Sequence, residues 1–166
     1  MQYADARPHI KSGDVLAWSH RGLKSWRDLK IWFVRLFTRS EYSHVGLAWV
    51  VGGRVFVVEA VQPMVRIYPL SKLLGGGAYW LPTGAKWMPE TEQLALECVG
   101  DPYSQRQAMQ APFGVPPLDK LWQCAELVGG VLHADGIDLG AVYTPSAIVQ
   151  AALVRGAPLQ YLETPT

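Results

Sequence analysis

Three residues able to do acyl chemistry together stand in order along the chain: His44 in SHVGL, Glu59 in VFVVEA and Cys124 in WQCAELVGGVL. A thiol becomes a useful nucleophile when its thiolate is favoured, and a helix N-terminus and a nearby imidazole both favour it. A carboxylate bonded to one ring nitrogen orients a histidine and leaves the other nitrogen to act as base. The chemistry these parts imply is attack of sulfur on an amide or ester carbonyl, through a thioester.

The segments around His44 and Glu59 must bring the two together. Residues 43–51 and 54–60 are rich in Val, Phe and Trp, and Gly52-Gly53 separates them. This is the pattern of a β-hairpin with a two-residue turn of a type that glycine favours. With such a turn Val51 lies opposite Arg54, Gly46 opposite Glu59 and His44 opposite Val61. Side-chain direction repeats every two residues, so Glu59 becomes the diagonal neighbour of His44 on one face. Diagonal neighbours are about 7–8 Å apart at the backbone, within reach of long side chains. Gly46 is expected to leave space into which the carboxylate leans. A three-residue loop would instead move Glu59 to the opposite face. Taken singly, His44 reads as a satisfied strand histidine and Glu59 as a charge at a strand end. The shared face and the later cysteine favour the catalytic reading.

The two cysteines differ in setting. Cys98 falls four residues after Leu94 in LALECVG, mid-helix and on the buried stripe, where a free thiol acts as a small hydrophobe. Cys124 follows the proline-rich segment FGVPPLDKLWQ and opens AELVGGVL, within a helix expected over 120–134. If that helix begins within a turn of Cys124, its unpaired N–H groups stabilise a thiolate and can hold an oxyanion. If Asp119 caps a helix starting at Lys120, Cys124 lies a full turn inside and the argument weakens. Glu126 is about 200° around the helix from Cys124, and is expected to brace the helix rather than touch the thiol.

The remaining elements read as a scaffold. Gly13-Asp14 turns into a first strand, VLAW; MVRIYPL (64–70) and AYWLP (78–82) are further strands, and PLQYLE a candidate last one. Three or four antiparallel strands in succession imply a meander curling into a small barrel or half-barrel, and the fold class is α+β. Residues 23–37 place Leu23, Trp26, Leu29, Trp32, Phe33, Leu36 and Phe37 at helical spacing with four basic residues between them. That helix packs on the core with a solvated basic side, or lies on a membrane surface. Pro89 opens a helix that Gly100 stops, residues 104–110 allow a short helix, and Thr144-Pro145-Ser146 opens another over 145–154.

Composition bounds the rest. The chain has 166 residues, 49% hydrophobic and 17% charged, which reads as one domain over 1–166 with a substantial core. A formal net charge of +1 makes no case for nucleic acid as a partner. Seven Trp and seven Tyr suit a packed interior or a pocket lined with flat side chains. No stretch reaches the roughly 18 apolar residues of a membrane span. MQYADARPHIKSGD does not resemble a secretory signal, and two cysteines make no disulfide framework. A cytoplasmic setting is the simplest expectation, and a phage protein released by lysis would look the same. Four scattered histidines with no close Cys/His pair argue against a zinc site, and no cofactor is expected.

SGDVLAW, YSHVGLAWV, VFVVEA, the DPY step at 101–103, QCAELVGGVL and YTPSAIVQAAL together resemble the permuted papain-like amidases of the YiiX/YaeF type, within the NlpC-like superfamily. The resemblance covers most of the chain. It implies a circularly permuted papain-like fold, with the cysteine helix packed on a small antiparallel sheet or half-barrel. Papain-like proteases themselves place the cysteine first. The resemblance also implies a catalytic triad of Cys124, His44 and Glu59. Two positions depart from the family pattern: Ala125 stands where Ser is common, and Ser104 where Asp is common. Tyr103 is either a residue that lines the site or assists the oxyanion, or an aromatic core residue. Tyr42 and Gln123 flank His44 and Cys124 as pocket neighbours. His20 and His133 read as surface or structural residues. The implied substrates are peptide amides, with cell-wall peptides among them, or lipid acyl groups. A non-catalytic binding module that keeps the fold is the remaining alternative.

Overall fold

A computed structural model describes residues 1–19, 41–103, 122–142 and 144–163. The expected helices at 23–37 and 104–110 and the residues His20 and Ser104 lie outside the described residues.

Six strands form one antiparallel sheet: β1 (Val15–Trp18), β2 (His44–Val51), β3 (Arg54–Ala60), β4 (Val65–Pro69), β5 (Ala78–Leu81) and β6 (Gln160–Leu162), in the order β4-β3-β2-β1-β5-β6. All six segments carry a strand pattern in the sequence, but they are not one continuous meander. β2, β3 and β4 follow one another, whereas β5 pairs with β1 on the far side of the sheet. Two 3-10 turns, Leu70–Lys72 and Leu74–Gly76, lie on the path from β4 to β5. β1 sits centrally because VLAW is apolar at every position, and all four residues are buried.

Four helices are described: α1 (Tyr3–Ala6), α2 (Pro89–Glu97), α3 (Cys124–Ala134) and α4 (Pro145–Val154). Alternation along the strands divides the core into two clusters. Val15, Ala17, Val45, Leu47, Val58 and Leu81 pack with Leu127, Val128, Val131 and Leu132 of α3 and with Ile148 and Val149 of α4. Leu16, Trp18, Ala48, Val55, Val57 and Trp80 face the other way and pack with Tyr3, Ala6, Ile10, Leu70 and Leu74. Burying an aliphatic side chain of this size contributes about 1.5–3 kcal/mol. The inward row of α3 therefore clamps that helix firmly to the sheet.

Asp14 explains the SGD that precedes β1. Its carboxylate is buried and accepts from Lys11 N–H at 2.9 Å, Trp80 Nε1 at 2.8 Å and Thr83 N–H at 3.2 Å. It thereby ties the entry of β1 to β5 and to the loop after β5. Burial pushes its carboxyl above the ordinary value despite these donors.

Among the described residues, no helix is long and apolar enough to cross a membrane.

Candidate active site

The hairpin places His44 and Glu59 side by side. Gly52 and Gly53 have φ of 56° and 71°, so both take the left-handed conformation that a two-residue turn requires. Val51 pairs with Arg54 and the register runs unbroken to Leu47 opposite Val58. The ring nitrogen Nε2 of His44 then lies 2.7 Å from Oε2 of Glu59. Gly46 sits between them but leaves no empty space. A Cβ there would lie 2.7 Å from Val57 Cγ1, 3.1 Å from the Val58 carbonyl oxygen and 3.3 Å from Glu59 Cβ. The glycine is needed because β3 already fills the room beside it.

Glu59 is 2% exposed and both its oxygens are engaged. Oε1 accepts from Arg66 Nε at 2.8 Å and Nη2 at 2.7 Å. Burial works to raise this carboxyl, but His44 and then Arg66 outweigh it and hold it below the ordinary value. Glu59 is thus a carboxylate, and the Nε2 that meets it carries the proton.

His44 is the first residue of β2 and Cys124 the first of α3. The two side chains interact by hydrogen bond and by charge. Burial alone would lower the imidazole, but the contacts of Cys124 and Glu59 prevail and raise it from 6.5 to about 9. The ring is flanked on its other side by Trp18, its cross-strand partner on β1, at 5.4 Å between centroids. The Trp18 indole donates to the Leu73 carbonyl at 3.1 Å, which fixes its plane.

The helix of Cys124 is shorter than its sequence pattern implies. Trp122 forms an isolated bridge with Tyr103, and Gln123 is the extended N-cap, so the helix begins at Cys124 rather than at 120. Its first intrahelical bond runs from Leu127 N–H to the Gln123 carbonyl at 3.1 Å. Gln123 N–H donates to Glu126 Oε2 at 3.1 Å, one half of a capping box. Glu126 therefore braces the head of the helix. Cys124 is 7% exposed, at the positive end of an 11-residue helix.

Tyr103 lies close enough to Cys124 and Glu126 to feel their charge. Burial first, and then those two groups, push its hydroxyl up, so it stays protonated. Gln123 is buried directly before the sulfur. Tyr42 is buried in the same core cluster as Cys124; its backbone N–H donates to Ser146 Oγ at 3.3 Å and its ring meets Tyr79 edge-on at 5.5 Å. Cys98 is the C-cap of α2 rather than a mid-helix residue, because the helix ends at Glu97. It is buried, and burial pushes its thiol up to about 11. His133 lies in the last turn of α3, away from the cysteine end.

Sequence reasoning missed two neighbours of this group, Trp18 and Arg66. Both are directly paired across strands, Trp18 with His44 and Arg66 with Glu59. The strand patterns of VLAW and VRIYP were visible in the sequence, but the register of β1 and β4 was needed to find these pairings.

No family model and no curated protein matches this chain by sequence. Among solved structures, the chain is similar to the metalloprotein yiiX from Escherichia coli O157:H7, DUF1105, with a TM-score of 0.57 and 24% sequence identity, covering 94% of this chain and 89% of that one. The protein is a mixed α/β chain whose six-stranded antiparallel sheet and helices share the fold of that structure.

Proposed function

We infer that the chain is a cysteine-dependent hydrolase of amides, acting as one domain with a circularly permuted papain-like arrangement. The observation that carries this reading is the imidazole of His44, bonded to the buried Glu59 at 2.7 Å and coupled to a cysteine that opens a helix.

In the proposed reaction the proton shared by Cys124 and His44 rests on the imidazole, and Sγ attacks the carbonyl carbon. Negative charge collects on the carbonyl oxygen, near the N–H groups at the head of α3. Tyr103 is a second donor at this stage, since its hydroxyl stays protonated. As the tetrahedral species collapses, the C–N bond breaks and His44 gives the proton to the departing amine. A thioester on Cys124 remains. His44 then takes a proton from water, the hydroxide oxygen attacks the thioester, and the acid leaves as the thiolate returns. Glu59 keeps the ring oriented throughout and Trp18 covers it.

The structural neighbour is described as a metalloprotein. The described residues of this chain do not fit a resident metal. Among the described residues no group of three or more His, Cys, Asp or Glu is placed to hold one. Glu59 already serves His44 and the cationic Arg66. No step of the proposed reaction runs through a metal.

Peptide amides are the preferred substrates. The lipid acyl alternative rests on the basic, Trp-containing stretch at 23–37, which lies outside the described residues.

Alkylation of Cys124 by iodoacetamide near neutral pH tests the reading. The thiol should react faster than free cysteine, and His44→Ala should slow it about 100-fold. A wild-type rate equal to that of a free thiol, unchanged by His44→Ala, would leave a binding module in place of the enzyme.

A further inference from the structure

We propose that Arg66 is a positioning residue of the site: by bonding Glu59 Oε1 with two donors it keeps the acid ionised and aims Oε2 at His44. This rests on the reading of Cys124, His44 and Glu59 as one catalytic unit. The two oxygens of Glu59 are divided without overlap, with Nε and Nη2 of Arg66 at 2.8 and 2.7 Å on Oε1 and His44 Nε2 at 2.7 Å on Oε2. Two charge-assisted donors on one oxygen anchor that oxygen and favour the ionised acid.

The exposures of the two partners differ in a way that fits this role. The Glu59 side chain is 2% exposed, whereas that of Arg66 is 43% exposed. A buried carboxylate with a single partner is poorly compensated for its lost hydration. Arg66 supplies the second partner from solvent's edge, and its position is fixed twice. It is the cross-strand neighbour of Glu59, and its guanidinium carbon lies 4.7 Å from the centre of the Tyr68 ring. Among the described residues, the titratable groups that act on Glu59 are His44 from β2 and Arg66 from β4. Cys124 acts through His44, and Tyr103 and Glu126 stand near Cys124.

The test compares wild type, Arg66→Met and Arg66→Lys, each also in a Glu59→Gln background. The Glu59 carboxyl is followed by carbon-13 NMR against pH, and Cys124 by its rate of iodoacetamide alkylation against pH. Arg66→Met should raise the Glu59 midpoint by about one pH unit or more, and Arg66→Lys by less, because lysine keeps the charge but loses the fork. The acid limb of alkylation should move upward in the same order. With Glu59→Gln already present, Arg66→Met should change alkylation no further, since its effect runs through the acid. A Glu59 midpoint unmoved in Arg66→Met overturns the proposal. So does an equal slowing of alkylation with and without Glu59→Gln, the result of a mere brace between β3 and β4. If Arg66→Met does not fold, an unshifted Glu59 in Arg66→Lys overturns it equally. Failure of the hydrolase reading looks different: wild-type Cys124 reacts as a free thiol while the Glu59 midpoint still follows Arg66.

Discussion

Arg66 and Glu59 face each other across β3 and β4 as a half-exposed cation and a fully buried acid. The acid in turn meets His44, so a charge at the surface is linked through one carboxylate to an imidazole beside a thiol. Fixed charges placed this way do not need to reorganise when charge moves during a reaction.

The same chain of contacts sets how stability depends on pH. His44 is raised from 6.5 to about 9 in the folded protein. A group held above its unfolded value contributes stability that is fully present below 6.5 and is lost as pH rises through about 9. Glu59 is held below its ordinary 4.5, so its contribution is present above that value and is lost as pH falls through the lowered folded one. Urea denaturation across pH should therefore show a plateau between these limits. His44→Ala should flatten the alkaline fall, and an unchanged alkaline slope would contradict the coupling.

Gly46→Ala should destabilise the fold by about 1–3 kcal/mol in urea denaturation, as overpacking does. The added methyl meets the Val57 side chain and the Val58 carbonyl, and the latter is backbone and cannot turn aside. The displacement falls between His44 and Glu59, so Cys124 alkylation should slow as well. Wild-type stability in Gly46→Ala would mean that β2 and β3 are further apart than described.

Lengthening the Gly52-Gly53 turn by one residue tests the register directly. A slip of one residue turns every side chain of the moved strand to the other face. If the slip propagates along β3, Glu59 leaves His44, and Cys124 reactivity should fall to that of His44→Ala. Retained reactivity in a folded insertion variant would show that the register is held by β4 rather than by the turn.

Asp14 should matter to stability and not to chemistry. Asp14→Ala strands three donors, those of Lys11, Trp80 and Thr83, and should cost about 2–4 kcal/mol. Asp14→Asn, which keeps an acceptor, should cost less. Well below its melting temperature, the Asp14→Asn protein should alkylate at Cys124 as wild type does, and a large loss of rate would place Asp14 in the site's machinery.

Much of this was legible in the chain itself. Short apolar runs rich in β-branched and aromatic residues mark the strands, and Gly52-Gly53 specifies a turn because both residues must take positive φ. Once that turn is two residues long, the shared face of His44 and Glu59 follows from the period of a strand. The candidate cysteine was legible in part: the proline-rich approach puts Cys124 near a helix start, but the sequence pattern opened that helix at 120, whereas Gln123 caps it and Cys124 begins it in the structure. Three things were decided only in three dimensions. Strand order is non-local: nothing in the local pattern of AYWL says that β5 pairs with β1 instead of β4. The meeting of Cys124 with His44 depends on how α3 lies against the sheet, which its packed row of Leu127, Val128, Val131 and Leu132 sets. The roles of Trp18 and Arg66 arise from cross-strand pairing, because a side chain's neighbours in a sheet come from distant parts of the sequence.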